Sequence, residues 1–215
     1  MEDELKPTLR GKLHFYAFFV AVVAGVVLEV LAPTERKHVA VAIYAVALAG
    51  VFGASALYHA RAWSLHVARR LRKLDHSMIF VMIAGTYTPF ALVVFTHTLA
   101  TVVLAVAWGG AVLGFVFNLV WIDAPRWLVA ALYIAMGWIG VLGLPQLIHR
   151  GGLAATILVA LGGLIYTAGA VTYALKRPNP FPRVFGFHEV FHTAVIAAAG
   201  AHYAAIATVV LPHGQ

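Results

Sequence analysis

The chain has 215 residues, of which 62% are hydrophobic and 11% are charged, with a net charge of +7 and a mean hydropathy of +0.90. This composition excludes a water-soluble domain. The chain contains no cysteine, which excludes disulfides, iron–sulfur clusters, haem thiolates and thiol catalysis. Any metal site must therefore use histidine, carboxylate or water.

Seven apolar runs, each close to the length that crosses a bilayer as a helix, cover most of the chain. In chain order they span about residues 14–31, 39–59, 75–95, 99–120, 127–148, 153–175 and 184–211. An arginine-rich stretch at 60–74 and a proline-rich stretch at 176–183 read as loops. The pattern predicts an all-α fold, a bundle of seven transmembrane helices, and a single polytopic domain over residues 1–215.

Lysine and arginine are distributed unequally between the two sides of this bundle. Of the 15 basic residues, only Arg36, Lys37 and Arg150 fall on one side, and the other 12 share the side of the N-terminus. The positive-inside rule then predicts a cytoplasmic N-terminus and a C-terminus outside. The basic belt can contact anionic lipids. Because it lies between spans rather than on a soluble face, it indicates no nucleic-acid partner.

Two histidines four residues apart, His188 and His192, open the seventh run. On a helix they lie on one face, about 6 Å apart along the axis, where they can hold one metal ion. A single histidine at this depth would more simply be an interfacial anchor. The string His188-Glu-Val-Phe-His192 also matches the H-E-x-x-H motif of zinc proteases. Glu189 lies about 100° around the helix from His188, so we do not expect it to act as a protease base.

Loop parity brings further polar residues to the level of this pair. His59 ends the second run and Asp75 opens the third, both on the predicted cytoplasmic side. Three imidazoles can hold a tetrahedral Zn²⁺ and leave one position for a water that ionises near neutral pH. Asp75 could then act as general base or only orient the water. Ser55, one turn before His59, could position the water or donate to a developing oxyanion.

Several of these residues have simpler structural interpretations. Asp75 could be a helix N-cap, and the Ser55 hydroxyl could bond the carbonyl one turn back. His76 is an alternative ligand. His202 lies 14 residues beyond His188, about 21 Å along the axis, too far to join the same site, and a buried hydrogen bond is the expectation. For Glu29 the expectation is snorkelling to the interface.

Four segments carry a resemblance to a known family. They are Ser55-Ala-Leu-Tyr-His59, Leu74-Asp75-His76-Ser-Met-Ile-Phe80, Gly85-Thr-Tyr-Thr-Pro89-Phe90 and Phe187-His188-Glu-Val-Phe-His192. Together they resemble the hemolysin III family, the bacterial branch of the progestin and adiponectin receptor superfamily, which is distantly similar to alkaline ceramidases. The resemblance implies seven spans in a bacterial plasma membrane and a cytoplasmic N-terminus. It also implies a zinc ion held by His59, His188 and His192, with Asp75 and Ser55 close by.

These observations support three hypotheses about function. The first is a zinc-dependent intramembrane hydrolase acting on a lipid amide or fatty-acyl ester. The second is a non-enzymatic membrane-homeostasis or lipid-sensing protein in which zinc is structural. The third is cytolysis, the activity in the family's name, which we rank last because the spans offer no row of charges to line a channel. In all three, membrane lipids are the expected partners.

Overall fold

The structure, a computed structural model, describes residues 7–214, and within them it is an all-α bundle with seven spans that are long and apolar enough to cross a membrane. Six of the spans contain the long helices α1 (Lys12–Leu31), α2 (Glu35–His59), α3 (Leu65–Val93), α4 (His97–Val120), α7 (Leu153–Leu175) and α8 (Phe187–Ala205). A π-helical turn, Ile206–Val210, continues α8. The fifth span is divided between α5 (Arg126–Gly137), the 3-10 segment Trp138–Gly143 and α6 (Leu144–Gly151). The seven-helix fold predicted from the apolar runs is confirmed.

The outward faces of the bundle are apolar. In α1 and α4 large hydrophobic side chains are more than half exposed, among them Phe19, Val23, Val30, Val112 and Leu113. A soluble protein would not leave such a continuous apolar surface in water. The inward faces pack tightly: Tyr44 and Phe52 of α2 meet Phe90 and Val94 of the third span in one core. The surface is that of a protein whose solvent is the lipid bilayer.

The third helix begins ten residues before the predicted start of the third run. Leu65 opens α3 after Ser64, so the expected loop at 60–74 is wrong from residue 65 onward. Asp75 consequently lies well inside the helix, and the N-cap interpretation of Asp75 is wrong. The arginine-rich turns favour helix intrinsically. Two of their side chains reach Asp123 between the fourth and fifth spans, Arg72 at 2.9 Å and Arg69 at 3.4 Å.

The other boundaries shift by a few residues where local hydrogen bonds extend or end a helix. Thr34 precedes α2 and its hydroxyl accepts a bond from the Lys37 amide at 3.4 Å, so α2 starts at Glu35 rather than Val39. The last span starts later than predicted, at Phe187, where Glu189 Oε2 accepts the Gly186 amide at 2.9 Å. These differences arise because hydropathy marks the membrane-embedded part of a helix, whereas capping fixes its end.

Three helix ends meet at one end of the bundle, which we call the basic end. The start of α1 packs on the end of α2, because a Cβ on Gly11 would lie 2.5 Å from the His59 Cβ. The ring of His14 in α1 stacks on His192 in α8. Lysine and arginine side chains cluster here, including Arg10, Arg61, Arg69, Arg72, Arg126 and Lys176. Lys6, which the charge count also used, lies outside the described residues. The assignment of this end to the cytoplasm stays a prediction.

Candidate metal centre

Three histidines from two helices converge at the basic end. His59 is the last residue of α2, and His188 and His192 lie in the first two turns of α8. One ring nitrogen from each lies within 4.8 Å of the others, and the Nε2 atoms of His59 and His188 are 3.2 Å apart. Two nitrogens bound tetrahedrally to one zinc at its usual bond length are separated by about 3.3 Å. The three rings can therefore hold a metal ion with little movement.

Gly11 makes this arrangement possible from the side of α1. It has a φ of 80°, a left-handed conformation that side chains rarely adopt, and its Cα packs directly against His59. Any larger residue there would clash with the Cβ and the backbone of His59. The sequence did not single out Gly11, because neither its backbone angle nor its neighbour is visible in the pattern of apolar runs.

Asp75 and Ser55 lie beside the three histidines. Oδ2 of Asp75 is 4.0 Å from Nε2 of His59. Ser55 is 2% exposed, and within residues 7–214 its hydroxyl has no partner at hydrogen-bond geometry. Both residues line a cavity of about 20 Å³ together with His188 and His192. That volume is enough for one water molecule. The structure thus brings together all five residues singled out from the sequence, while their roles stay predictions.

His14 is a fourth imidazole at the site that the sequence reasoning missed. Its ring lies parallel to that of His192, with centroids 3.8 Å apart and an interplanar angle of 8°. It is 3% exposed, and neither ring nitrogen has a hydrogen-bond partner among the described residues. The signal that could have found it is loop parity, since His14 opens the first span on the same side as His59 and His188.

The two alternative residues are held by other groups. Nδ1 of His76 donates to the Arg72 carbonyl at 2.8 Å, and its Nε2 lies 3.2 Å from the Tyr173 hydroxyl. His76 lines the small cavity but is not in the three-histidine group. Glu189 is fully buried, and its carboxylate bonds Arg10 at 2.5 Å and the Gly186 amide. The carboxylate of the H-E-x-x-H string thus serves as a helix cap and ion-pair partner, in keeping with the expectation that it is not a protease base.

A second, larger cavity adjoins the small one. It has a volume of about 250 Å³ and lies between α3, the fifth span, α7 and α8. Its walls are almost entirely apolar. Five residues line both cavities: Val51, Ile79, Tyr133, Phe191 and Val195. These five side chains therefore form the part of the wall that the two cavities share.

Fold and site together define an integral membrane protein of seven helical spans with a histidine cluster buried at its basic end. The profile of the family described as Haemolysin-III related matches residues 3–203. The chain belongs to the haemolysin III family, within the progestin and adiponectin receptor superfamily. The resemblance noted in the sequence is thereby confirmed.

Three relatives illustrate the range of the family. A Hemolysin-3 homolog of Bacillus subtilis (strain 168) is 33% identical over 133 residues, which cover 62% of this chain and 60% of that protein. Hemolysin-3 of Bacillus cereus is 31% identical over 183 residues, 83% of this chain and 78% of that protein. The adiponectin receptor protein of Drosophila melanogaster is 32% identical over 157 residues, 65% of this chain and 35% of that protein. The chain is a multi-pass membrane protein, and a bacterial cell membrane fits the Bacillus relatives.

Proposed function

We propose that the protein is a zinc-dependent hydrolase that cleaves an amide or ester of a long-chain fatty acid within the membrane. One observation carries the proposal: the small cavity at the histidines shares part of its wall with the large apolar cavity. An acyl chain in the apolar cavity would bring its carbonyl carbon next to Asp75 and Ser55. In this proposal His59, His188 and His192 are the zinc ligands.

The chemistry assigns a separate role to each remaining polar residue. When bound, zinc would supply a Lewis acid for the carbonyl and a water that ionises near neutral pH. Asp75 would accept one proton from the attacking water while the water oxygen bonds to the carbonyl carbon. Ser55 donates its hydroxyl hydrogen to the developing oxyanion. The carbon–nitrogen or carbon–oxygen bond then breaks, and Asp75 returns the proton to the leaving amine or alcohol.

The test compares the parent protein with Asp75→Asn, which keeps the shape of the side chain and removes its basicity. Both are purified in detergent, analysed for zinc and incubated with a panel of ceramides and other acyl lipids. We expect about one zinc per chain in both, and fatty-acid release slower by about 10²- to 10⁴-fold in the variant. Asp123→Asn, which changes an exposed carboxylate at the same end of the bundle, is the matched control and should release fatty acid normally.

Two results would contradict parts of this proposal separately. Equal release by the parent and Asp75→Asn would remove Asp75 from the chemistry. Zinc retained in full by the double variant His188→Ala/His192→Ala would remove the ligand assignment. Zinc in the parent without release from any lipid of the panel would instead favour the second candidate function below.

The second candidate is a lipid-sensing or membrane-homeostasis protein with structural zinc. The observation in its favour is that the histidines come from two helices, since an ion would join the end of α2 to the start of α8. A lipid that changes the packing of these two helices would then move α2 relative to α8. This candidate predicts that chelation lowers the thermal midpoint, and that spin labels on α2 and α8 report a distance that varies with lipid composition.

Cytolysis is the third candidate, favoured only by the names of the Bacillus relatives. A water-filled pore needs a polar lining, whereas the large cavity is walled by apolar side chains. Lysis of erythrocytes by the purified parent protein and by Asp75→Asn separates the two functions. Lysis that is lost in Asp75→Asn indicates a lipid hydrolase, whereas lysis that is retained indicates a pore, because a pore has no need of a general base.

A further inference from the structure

One polar side chain, His202, lies in the wall of the large apolar cavity, away from the metal centre. His202 of α8 lines this cavity and is 8% exposed. It lies ten residues beyond His192, about 15 Å along the helix axis. Its Nε2 is 3.2 Å from the Val159 carbonyl oxygen in α7, which confirms the buried hydrogen bond expected from the sequence.

The chemistry of this bond determines what the other ring nitrogen can do. A carbonyl oxygen only accepts hydrogen bonds, so Nε2 carries the hydrogen in the neutral ring. Nδ1 is then an acceptor. It is buried and has no hydrogen-bond partner among residues 7–214. Leaving such a group unpaired in an apolar setting is unfavourable.

A second unpaired group lies next to the first. Tyr166 of α7 lines the same cavity, and its ring centroid is 5.6 Å from that of His202. Its hydroxyl is buried and also lacks a hydrogen-bond partner in the part of the chain that the structure describes. A phenol can both donate and accept. One acceptor and one donor–acceptor thus belong to neighbouring rings that line the same cavity.

The position of the imidazole is fixed by close packing. A Cβ on Gly162 would lie 2.4 Å from Nε2 of His202 and 3.2 Å from the Ala198 carbonyl. The absence of a side chain at Gly162 therefore leaves space for the ring against α7. Val159 then sets its orientation, so Nδ1 is held in place rather than free to turn away.

We propose that His202 and Tyr166 form a second polar subsite, which binds a hydroxyl group on the hydrocarbon chain of an elongated amphiphile whose head lies at the histidine cluster. A hydroxyl donates to Nδ1 of His202 and accepts from the phenol of Tyr166, so both unpaired groups are satisfied. A carboxylate fits less well, because it cannot donate to Nδ1. The inference rests on the proposed function only in requiring that the cavity hold an acyl chain, and it does not require turnover.

The test is a binding measurement on the full-length protein in detergent. The probes are decanoic, lauric, myristic and palmitic acids and their ω-hydroxy counterparts, which displace a fluorescent fatty acid. We expect the parent to bind one ω-hydroxy acid about tenfold more tightly than the plain acid of equal length, which corresponds to one additional hydrogen bond. The chain length at which this preference appears reports the distance between the head of the ligand and the subsite.

Two conservative variants remove one polar group each. Tyr166→Phe deletes only the hydroxyl, and His202→Gln can still donate to the Val159 carbonyl while Nδ1 is lost. Both should bind plain and ω-hydroxy acids equally, with plain-acid affinity unchanged. Tyr203→Phe is the matched control. Its hydroxyl donates to Ala24 at 3.1 Å and does not line the cavity, so the preference should persist.

The outcomes separate this subsite from the hydrolase. Equal binding of both acid series by the parent at every length overturns the subsite and leaves the hydrolase intact, as does a preference that survives both variants. Binding of neither series overturns the acyl-chain cavity, and the subsite with it. A preference that persists in Asp75→Asn, which should release fatty acid far more slowly than the parent, supports the subsite independently of the chemistry.

Discussion

At the scale of single residues, the parallel stack of His14 on His192 supports one side of the metal centre. The backbone of α8 fixes the position of His192, and the face-to-face contact with His14, at 3.8 Å between ring centroids, restrains the rotation of its ring. We expect His14→Ala to let the His192 ring rotate and to weaken zinc binding by about tenfold, the usual effect of losing a group that orients a ligand. Competition against a chelator of known affinity measures this change.

The matched variants test whether the ring or its nitrogens matter. His14→Phe keeps an aromatic face and should bind zinc nearly as tightly as the parent. Phe15→Ala changes a neighbouring side chain that is 49% exposed and should have no effect. If His14→Phe loses as much affinity as His14→Ala, then His14 acts through a nitrogen and the stacking explanation is wrong.

The residue scale also shows what the sequence could and could not predict about the site. Spacing and loop parity were enough to bring His59, His188 and Asp75 together, because both depend only on chain order. The ion pair of Glu189 could not be predicted from the sequence, because its partner Arg10 is 179 residues away. Side-chain contacts of this kind depend on how the first and last helices pack, which no local pattern records.

At the scale of helices, the fifth span is the element that departs most from the predicted form. The prediction was one continuous run, whereas the structure interrupts it with the 3-10 segment Trp138–Gly143. Tyr87 of α3 bonds this segment: its hydroxyl accepts the Gly140 amide at 3.0 Å and donates toward the Gly137 carbonyl. The break faces the large cavity, so it shapes the wall against which a ligand would pack.

We expect Tyr87→Phe to destabilise this segment, because the Gly140 amide and the Gly137 carbonyl lose their partner inside an apolar bundle. The loss should be about 1–2 kcal/mol, seen as a thermal midpoint lower by about 2–8 °C. Faster hydrogen exchange at residues 137–143 would locate the effect. Tyr16→Phe is the control, since Tyr16 is 67% exposed and should leave the midpoint unchanged.

A different result would change the account of the break. If Tyr87→Phe leaves both the midpoint and the exchange unaltered, the 3-10 geometry is set by the two glycines of the segment, Gly140 and Gly143, and not by the tyrosine. Hydropathy could not have predicted either cause, because the mean hydropathy of a run does not record how many residues each turn contains. The extension of α3 to Leu65 was missed for the complementary reason, since its first turns lie outside the apolar run.

At the scale of the whole molecule, the number and order of the spans could be predicted because the bilayer imposes one length on every helix. The sides of the membrane follow from a different property, the bias of 12 basic residues to 3 between the two ends. In the structure the histidine cluster lies at the end of the bundle that carries the larger number of basic residues. Orientation therefore decides whether the proposed hydrolase releases its polar product into the cytoplasm.

The absence of native cysteine allows the orientation to be tested directly with single engineered thiols. Ser64→Cys lies at the exposed start of α3 on the basic end, and Thr98→Cys lies at the opposite end, exposed in the first turn of α4. In intact cells we expect a membrane-impermeant maleimide to label Thr98→Cys, and to label Ser64→Cys only after permeabilisation, because the positive-inside rule predicts that the basic end faces the cytoplasm. The unmodified chain should not be labelled in either condition. The reverse pattern would contradict the orientation and would put the histidine cluster, with Asp75 beside it, on the outer face.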